Sequence, residues 1–213
     1  MIYILYSADY ELYLGGNSQS EEEVLIHPTQ QLLATCDRIN IPLTLFADIA
    51  CLWRYRELGL EQFPEQAEAQ LQDAARRHHD IQTHLHPHWA FTHLEENRFL
   101  FDPATYRLGT LSPDPAERFR LTRLWLQQAS EALTTLIRPH APNYRCLAFR
   151  AGGYGLQPDE QMILKALEET GYRIDSSIIP GARLTTNVQQ VDFTGVPNLA
   201  NYWLNAEQGL NAP

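Results

Sequence analysis

Cysteine is scarce in this chain of 213 residues, which contains only Cys36, Cys51 and Cys146. The number is odd and no two of them lie close together along the chain. This pattern argues against both a disulfide framework and a cysteine-based zinc site. We therefore expect three reduced thiols in or near the core.

Clustered positive charge and long apolar runs are also missing. The formal net charge is −10 and no long run of lysine or arginine occurs, so the sequence disfavours nucleic acid or an anionic membrane as partner. No apolar stretch is long enough to span a bilayer, and residues 1–6 lack the features of a signal peptide. These absences predict a cytoplasmic protein and leave its oligomeric state open.

The pattern that is present predicts an α/β fold in one domain, residues 1–213. Hydrophobic residues make up 44% of the chain and charged residues 20%, a globular balance. Strand-like and helix-like runs alternate, which predicts parallel strands joined by helical crossovers, with functional groups at the carboxyl ends of the strands. We predict strands at 2–8, 43–49, 80–85, 146–150, 172–179 and 191–196, and helices at 28–39, 64–78, 114–137 and 158–170.

A long segment without a regular pattern, residues 89–113, follows the third predicted strand. Segments of this kind inside a compact domain are usually functional or mobile. The sequence leaves two interpretations open, a satellite core or a lid whose aromatic rings stack on a ligand. The segment is rich in aromatic residues, namely Trp89, Phe91, Phe99, Phe101 and Tyr106.

Three histidines within five residues, His84, His86 and His88, form the strongest functional signal. Neutral imidazole is a common metal ligand. A turn after the third strand would bring His84 and His88 to one ion. An extended chain would instead place His84 and His86 on one face, because side chains alternate along a strand. The cluster therefore predicts a metal site and leaves the choice of histidines open.

Two acidic residues, Asp9 and Glu11, end the first predicted strand. One residue separates them, so an extended chain projects both to the same side. Two carboxylates there are costly unless they are paired or bound to a metal. One can bind the ion while the other acts as general base. Two histidines and a carboxylate resemble the ligands of hydrolytic zinc, so Zn²⁺ or another divalent transition metal is the expected cofactor.

Two further candidate residues lie in predicted strands, Arg150 at the end of strand 146–150 and Asp175 within strand 172–179. Taken alone, each has an ordinary interpretation: Arg150 as an ion-paired surface residue and Asp175 as the cap of a turn. The glycines at 152, 153 and 155 do not fit a dinucleotide-binding fingerprint.

Taken in order, these motifs resemble those of the NodB-like polysaccharide deacetylases of carbohydrate esterase family 4, over nearly the whole chain. Residues 8–11 are similar to the family's first motif, which implies Asp9 as catalytic base and Glu11 as metal ligand, although the family more often has adjacent aspartates. His84 and His88 match the family's His-x-x-x-His metal motif.

Residues 149–154 are similar to the family motif in which an arginine orients the base and a backbone N–H stabilises the oxyanion. This similarity implies catalytic roles for Arg150 and Tyr154, and Asp175 resembles the family's next strand end. The family's late histidine, the general acid, has no counterpart after His140. The resemblance then implies a proton donor elsewhere, for example His86, or the loss of that step.

The resemblance also implies an irregular (β/α) barrel whose last strands are missing from the predicted set. The implied activity is metal-dependent removal of N- or O-acetyl groups from a sugar or polysaccharide. Two alternatives stay open: a cyclic amide or ureide hydrolase of the same fold, and a catalytically inactive carbohydrate-binding module.

Overall fold

The computed structural model describes residues 3–12, 19–96 and 98–210. The nine strands assigned there alternate with helices along most of the chain, as the sequence predicts. The strands are β1 (Ser7–Tyr10), β2 (Thr44–Asp48), β3 (Asp80–Leu85), β4 (His93–Glu95), β5 (Arg98–Leu100), β6 (Ala148–Ala151), β7 (Ile174–Asp175), β8 (Arg183–Thr185) and β9 (Gln190–Asp192).

Five α-helices connect and cover these strands. They are α1 (His27–Arg38), α2 (Ile49–Glu57), α3 (Gln62–Arg76), α4 (Pro115–Ile137) and α5 (Glu160–Glu169). A π-helical turn, Glu22–Ile26, leads into α1, and short 3-10 turns include Pro87–Phe91 and Gly152–Tyr154. None of the described helices combines the length and the apolar character that a membrane crossing requires.

The central sheet has the strand order β1-β2-β3-β6-β7, and every pair in it is parallel. Each crossover therefore leads to the neighbouring strand, and the chain moves across the sheet in one direction. With the usual right-handed crossovers, this order places the connecting helices on one face of the sheet. Contacts of α3 with α4, and of α4 with α5, agree with that arrangement. The carboxyl ends of all five strands therefore lie at the same end of the sheet.

The predicted α/β class with a parallel sheet is confirmed, whereas barrel closure is not found. Within the described residues, β1 and β7 are the two edges of an open sheet. The strand predicted at 191–196 is found in part, as β9, but it joins β8 in a separate antiparallel hairpin instead of the central sheet. A tight turn explains this, since Thr186 N donates to Gln189 O at 2.7 Å and so brings the two short strands together.

Two further elements differ from the predicted ones. Helix α2 was not predicted, because Ile49, Ala50, Cys51 and Leu52 are all buried and a continuous apolar run hides the helical period. The strand predicted at 172–179 shortens to β7. The three cysteines are free and buried, as predicted.

Candidate metal centre

The ends of β1 and β3 bring three metal-ligating side chains together: Glu11, His84 and His86. Glu11 Oε2 lies 3.1 Å from His84 Nε2 and also hydrogen-bonds to His86 Nε2. One ligand atom from each residue lies within 4.8 Å of the other two. This group could hold a metal ion, and two imidazoles with one carboxylate suit a divalent transition metal.

The two histidines share a face because the chain stays extended beyond β3. His86 follows the last strand residue with φ −107° and ψ 98°, and alternation then directs His84 and His86 to the same side. Both are almost fully buried, with 1% and 2% of their surface exposed. The sequence left a turn or an extended chain open after β3, and the structure adopts the extended chain, which places His84 and His86 on one face.

Gly152 makes room for His86. A Cβ atom at Gly152 would lie 2.5 Å from His86 Cγ and Nδ1, and 2.6 Å from Leu85 O. No real side chain fits at such distances. Glycine is therefore required at position 152, because the backbone there lies close to a candidate ligand.

The electrostatics of the group favour a charged Glu11. Burial opposes ionisation, but the hydrogen bonds with His84 and His86 outweigh it and hold the pKa of Glu11 well below its usual range. For His84, burial likewise opposes the charged form. The hydrogen bond to Glu11 and the nearby Asp48 carboxylate nevertheless raise the pKa of His84. Both pKa shifts show that this group of side chains stabilises positive charge at its centre.

His88 lies outside this group. Its ring is fully buried and stacks on Tyr106, with ring centroids 4.8 Å apart and planes 11° apart, and it also contacts Phe101 and Trp89. Burial, together with neighbouring His86, lowers the pKa of His88 to about 2. Trp89 and Tyr106 are also buried, so this part of the aromatic segment forms core around His88. Whether His88 binds metal stays a prediction.

Asp9 has a different partner from Glu11. Arg150 Nη1 donates to Asp9 Oδ1 at 2.6 Å, and Nη2 donates to Ser7 Oγ and Ser176 Oγ at 2.8 and 2.9 Å. The guanidinium also lies 4.0 Å from the centre of the Phe46 ring. These contacts fix Arg150 and, through it, the Asp9 carboxylate. The structure therefore brings Asp9 and Arg150 together and leaves Asp9 outside the group of potential ligands.

A cavity of about 170 Å³ joins the two acids. Tyr154, at its edge, has φ +60°, a left-handed conformation that is rare for a residue with a side chain. Strain of this kind is often found at functional sites. The cavity is lined by Asp9, Glu11, His86, Tyr106, Arg150, Ala151, Gly153, Tyr154 and Gln189.

Asp175 does not line this cavity. Both of its carboxylate oxygens accept hydrogen bonds from Ser177 N at 3.1 Å, and Ser177 Oγ accepts one from Ala151 N at 2.8 Å. Burial raises the pKa of Asp175 to about 6. These contacts support the end of β6 that carries Arg150, and a catalytic role for Asp175 stays a prediction.

Asp48, at the end of β2, is a residue that the sequence analysis missed. It is 3% exposed, and its Oδ1 accepts a hydrogen bond from His86 N at 3.2 Å. In the described part of the chain, Asp48 Oδ2, His84 Nδ1 and His86 Nδ1 are buried without a hydrogen-bond partner. Orphaned polar atoms beside three potential ligands fit an ion-binding centre. No signal in the sequence pattern marks Asp48, because β2 continues directly into the apolar start of α2.

Comparison with known proteins leaves the family open. No protein-family model, curated protein or solved structure matches this chain. The arrangement in this chain consists of three potential ligands, an acid held by an arginine, and a cavity lined by Asp9 and Glu11.

Replacing Gly152 by alanine should destabilise the protein by about 1–3 kcal/mol and displace His86, because the new Cβ overlaps the imidazole. Thermal unfolding and zinc titration calorimetry measure the two effects. Gly155→Ala is the matched control, since its Cβ would lie 3.0 Å from the nearest atom, Gly152 O, and should cost less. Equal effects of both variants would contradict the proposed close approach.

Zinc binding by two histidine variants tests which histidines are ligands. Loss of a residue that hydrogen-bonds to a metal ligand weakens metal binding by ~10–100-fold. His86→Ala removes a ligand itself and should therefore weaken zinc binding by more than this. His88→Phe keeps the aromatic stacking and should retain one zinc per chain. Elemental analysis after dialysis and calorimetry with zinc alone measure both. The opposite result, loss in His88→Phe only, would restore the family pattern of His84 with His88.

The raised pKa of Asp175 predicts a pH-dependent stability. The folded protein binds this proton more tightly than the unfolded chain, whose value is near 3.8, so stability falls as pH rises from about 4 to about 6. Asp175→Asn stays neutral and should exceed the wild type by about 1–3 kcal/mol at about pH 8. Its advantage should disappear below about pH 4.

Urea unfolding at several pH values measures this difference. Asp102→Asn is the control, because Asp102 caps an exposed turn through Ala104 N and asparagine caps nearly as well. A stability difference between Asp175→Asn and the wild type that does not vary with pH would refute the assignment.

Proposed function

We propose that this protein is a metal-dependent hydrolase that removes acetyl groups, above all N-acetyl groups, from a sugar or polysaccharide. One observation carries the proposal. Asp9, held by Arg150 at 2.6 Å, and Glu11, in contact with two imidazoles, line the same cavity. The NodB-like deacetylases that the sequence resembles use a base and a ligand from one motif in this way.

Glu11, His84 and His86 would hold zinc or another divalent transition metal. When bound, such an ion would lower the pKa of a water molecule toward neutrality and polarise the scissile carbonyl. Three protein ligands are the usual number in hydrolytic zinc sites. Asp9, paired with Arg150, is then available as the base.

Asp9 removes a proton from the attacking water, and the hydrogen bond from Arg150 orients the carboxylate. Backbone N–H groups near Tyr154 stabilise the oxyanion of the tetrahedral intermediate. His86 is unsuited to donate the proton because its Nε2 faces Glu11. Asp9 therefore returns its proton to the leaving nitrogen or oxygen, which releases acetate and the deacetylated sugar.

The remaining cavity wall suits a saccharide. Tyr154, which is 36% exposed, offers a ring face, and Gln189 offers an amide, next to the acidic groups. Gln189 Nε2 donates to Gly153 O at 3.3 Å, which holds it against the turn after β6. Aromatic faces beside hydrogen-bonding groups match the mixed surface of a sugar ring. The proposal extends to the fold, with the open sheet as part of an irregular (β/α) barrel of the NodB type.

Acetate release from zinc-loaded protein tests this activity. N-acetylated chitooligosaccharides and O-acetylated xylan serve as substrates. Asp9→Asn should lower kcat by about 10²–10⁴-fold, the usual contribution of a general base, and should retain its zinc. Asp102→Asn, on the exposed turn at Pro103–Thr105, is a control that should leave both unchanged.

Other outcomes separate the alternatives. Saccharide binding without acetate release would support a carbohydrate-binding module, and opening of a cyclic ureide such as hydantoin would support the other hydrolase. Full activity in Asp9→Asn would remove Asp9 from the reaction.

A further inference from the structure

Asp48 occupies the central position between the candidate ligands. It is the last residue of β2, the strand between β1 and β3. It lies opposite His84 in the strand register. Because Tyr10 pairs with Ala47, Glu11 and Asp48 follow side by side where the two strands end.

The surroundings of Asp48 are unfavourable for a carboxylate. The residue is 3% exposed, and its Oδ2 has no hydrogen-bond partner among residues 3–12, 19–96 and 98–210. The charged or titratable groups that act on it are His84, His86 and Glu11, and Glu11 repels it. An unpaired carboxylate at such a position is costly, so its presence calls for a compensating group.

We propose that Asp48 is a positioning residue of the metal centre. Its Oδ1 fixes the backbone of His86, and its charge is the second negative charge that balances a divalent cation. The inference rests on the metal centre proposed above. With neutral imidazoles, the charges of Glu11 and Asp48 together cancel those of one divalent ion. Carboxylates that support ligand histidines commonly change metal affinity by about 10–100-fold.

Asp48→Asn isolates the charge, because asparagine has the same shape and keeps an acceptor for His86 N. We expect zinc affinity about 10–100-fold weaker, measured by calorimetry with zinc alone. The metal-free variant should unfold at the same temperature as the metal-free wild type or at a higher one, because a buried charge has been removed. Weaker zinc binding without loss of stability is a result that a merely structural role would not produce.

Asp80→Asn is the matched control for net charge. Asp80 begins β3, about 13 Å from His84 along the strand, and accepts a hydrogen bond from Gln82 Nε2 at 3.0 Å that asparagine preserves. Its zinc affinity should equal that of the wild type.

The outcomes separate the two proposals. A wild type that binds no zinc would overturn the metal centre itself, whereas unchanged affinity in Asp48→Asn would overturn the role of Asp48 alone. If Asp48→Asn fails to fold, Asp48→Ser, smaller and neutral, takes its place. Failure of both to fold without metal would show a structural residue and overturn the inference.

Discussion

The contact of Glu11 with His84 and His86 is the interaction on which the site depends. It joins β1 to β3 across the end of β2, so it requires all three strands in the parallel order observed. Strands in a sheet lie about 4.8 Å apart, and the side chains of Glu11 and the two histidines together bridge two such spacings. A change in strand order would separate these groups.

The sheet also explains why the polar groups face one another instead of solvent. Sequential parallel strands with crossovers of one hand place the helices on one face, so the other face is free to carry functional side chains. The register then sets Asp48, His84 and Arg150 in one row across three strands. Gly152, directly after β6, completes the row by leaving room for the imidazole of His86.

Much of this arrangement follows from sequence rules, and the remainder has identifiable causes. The strand that ends at Leu85 and the two acids at the end of the first strand were predicted from alternation and apolar runs. The choice between His86 and His88 was open because it depends on one backbone conformation, that of His86.

Asp48 shows a different limit of sequence interpretation. Its run, Leu45 to Asp48, continues into the apolar start of α2, so nothing in the pattern marks a strand end there. Only the placement of β2 between β1 and β3 reveals that Asp48 faces both imidazoles. A side chain whose role depends on the residues of neighbouring strands cannot be recognised until the strand order is known.

The two acids of β1 acquire different chemistry from their partners, although both lie at the end of the same strand. Glu11 faces imidazoles, which donate and can share a cation with it, whereas Asp9 faces a guanidinium, which stays protonated and cannot bind metal. A carboxylate already neutralised by arginine gains less from a divalent ion than one that faces only imidazole. The geometry therefore favours Glu11 over Asp9 as the potential metal ligand, a choice that the spacing of the two acids alone left undecided.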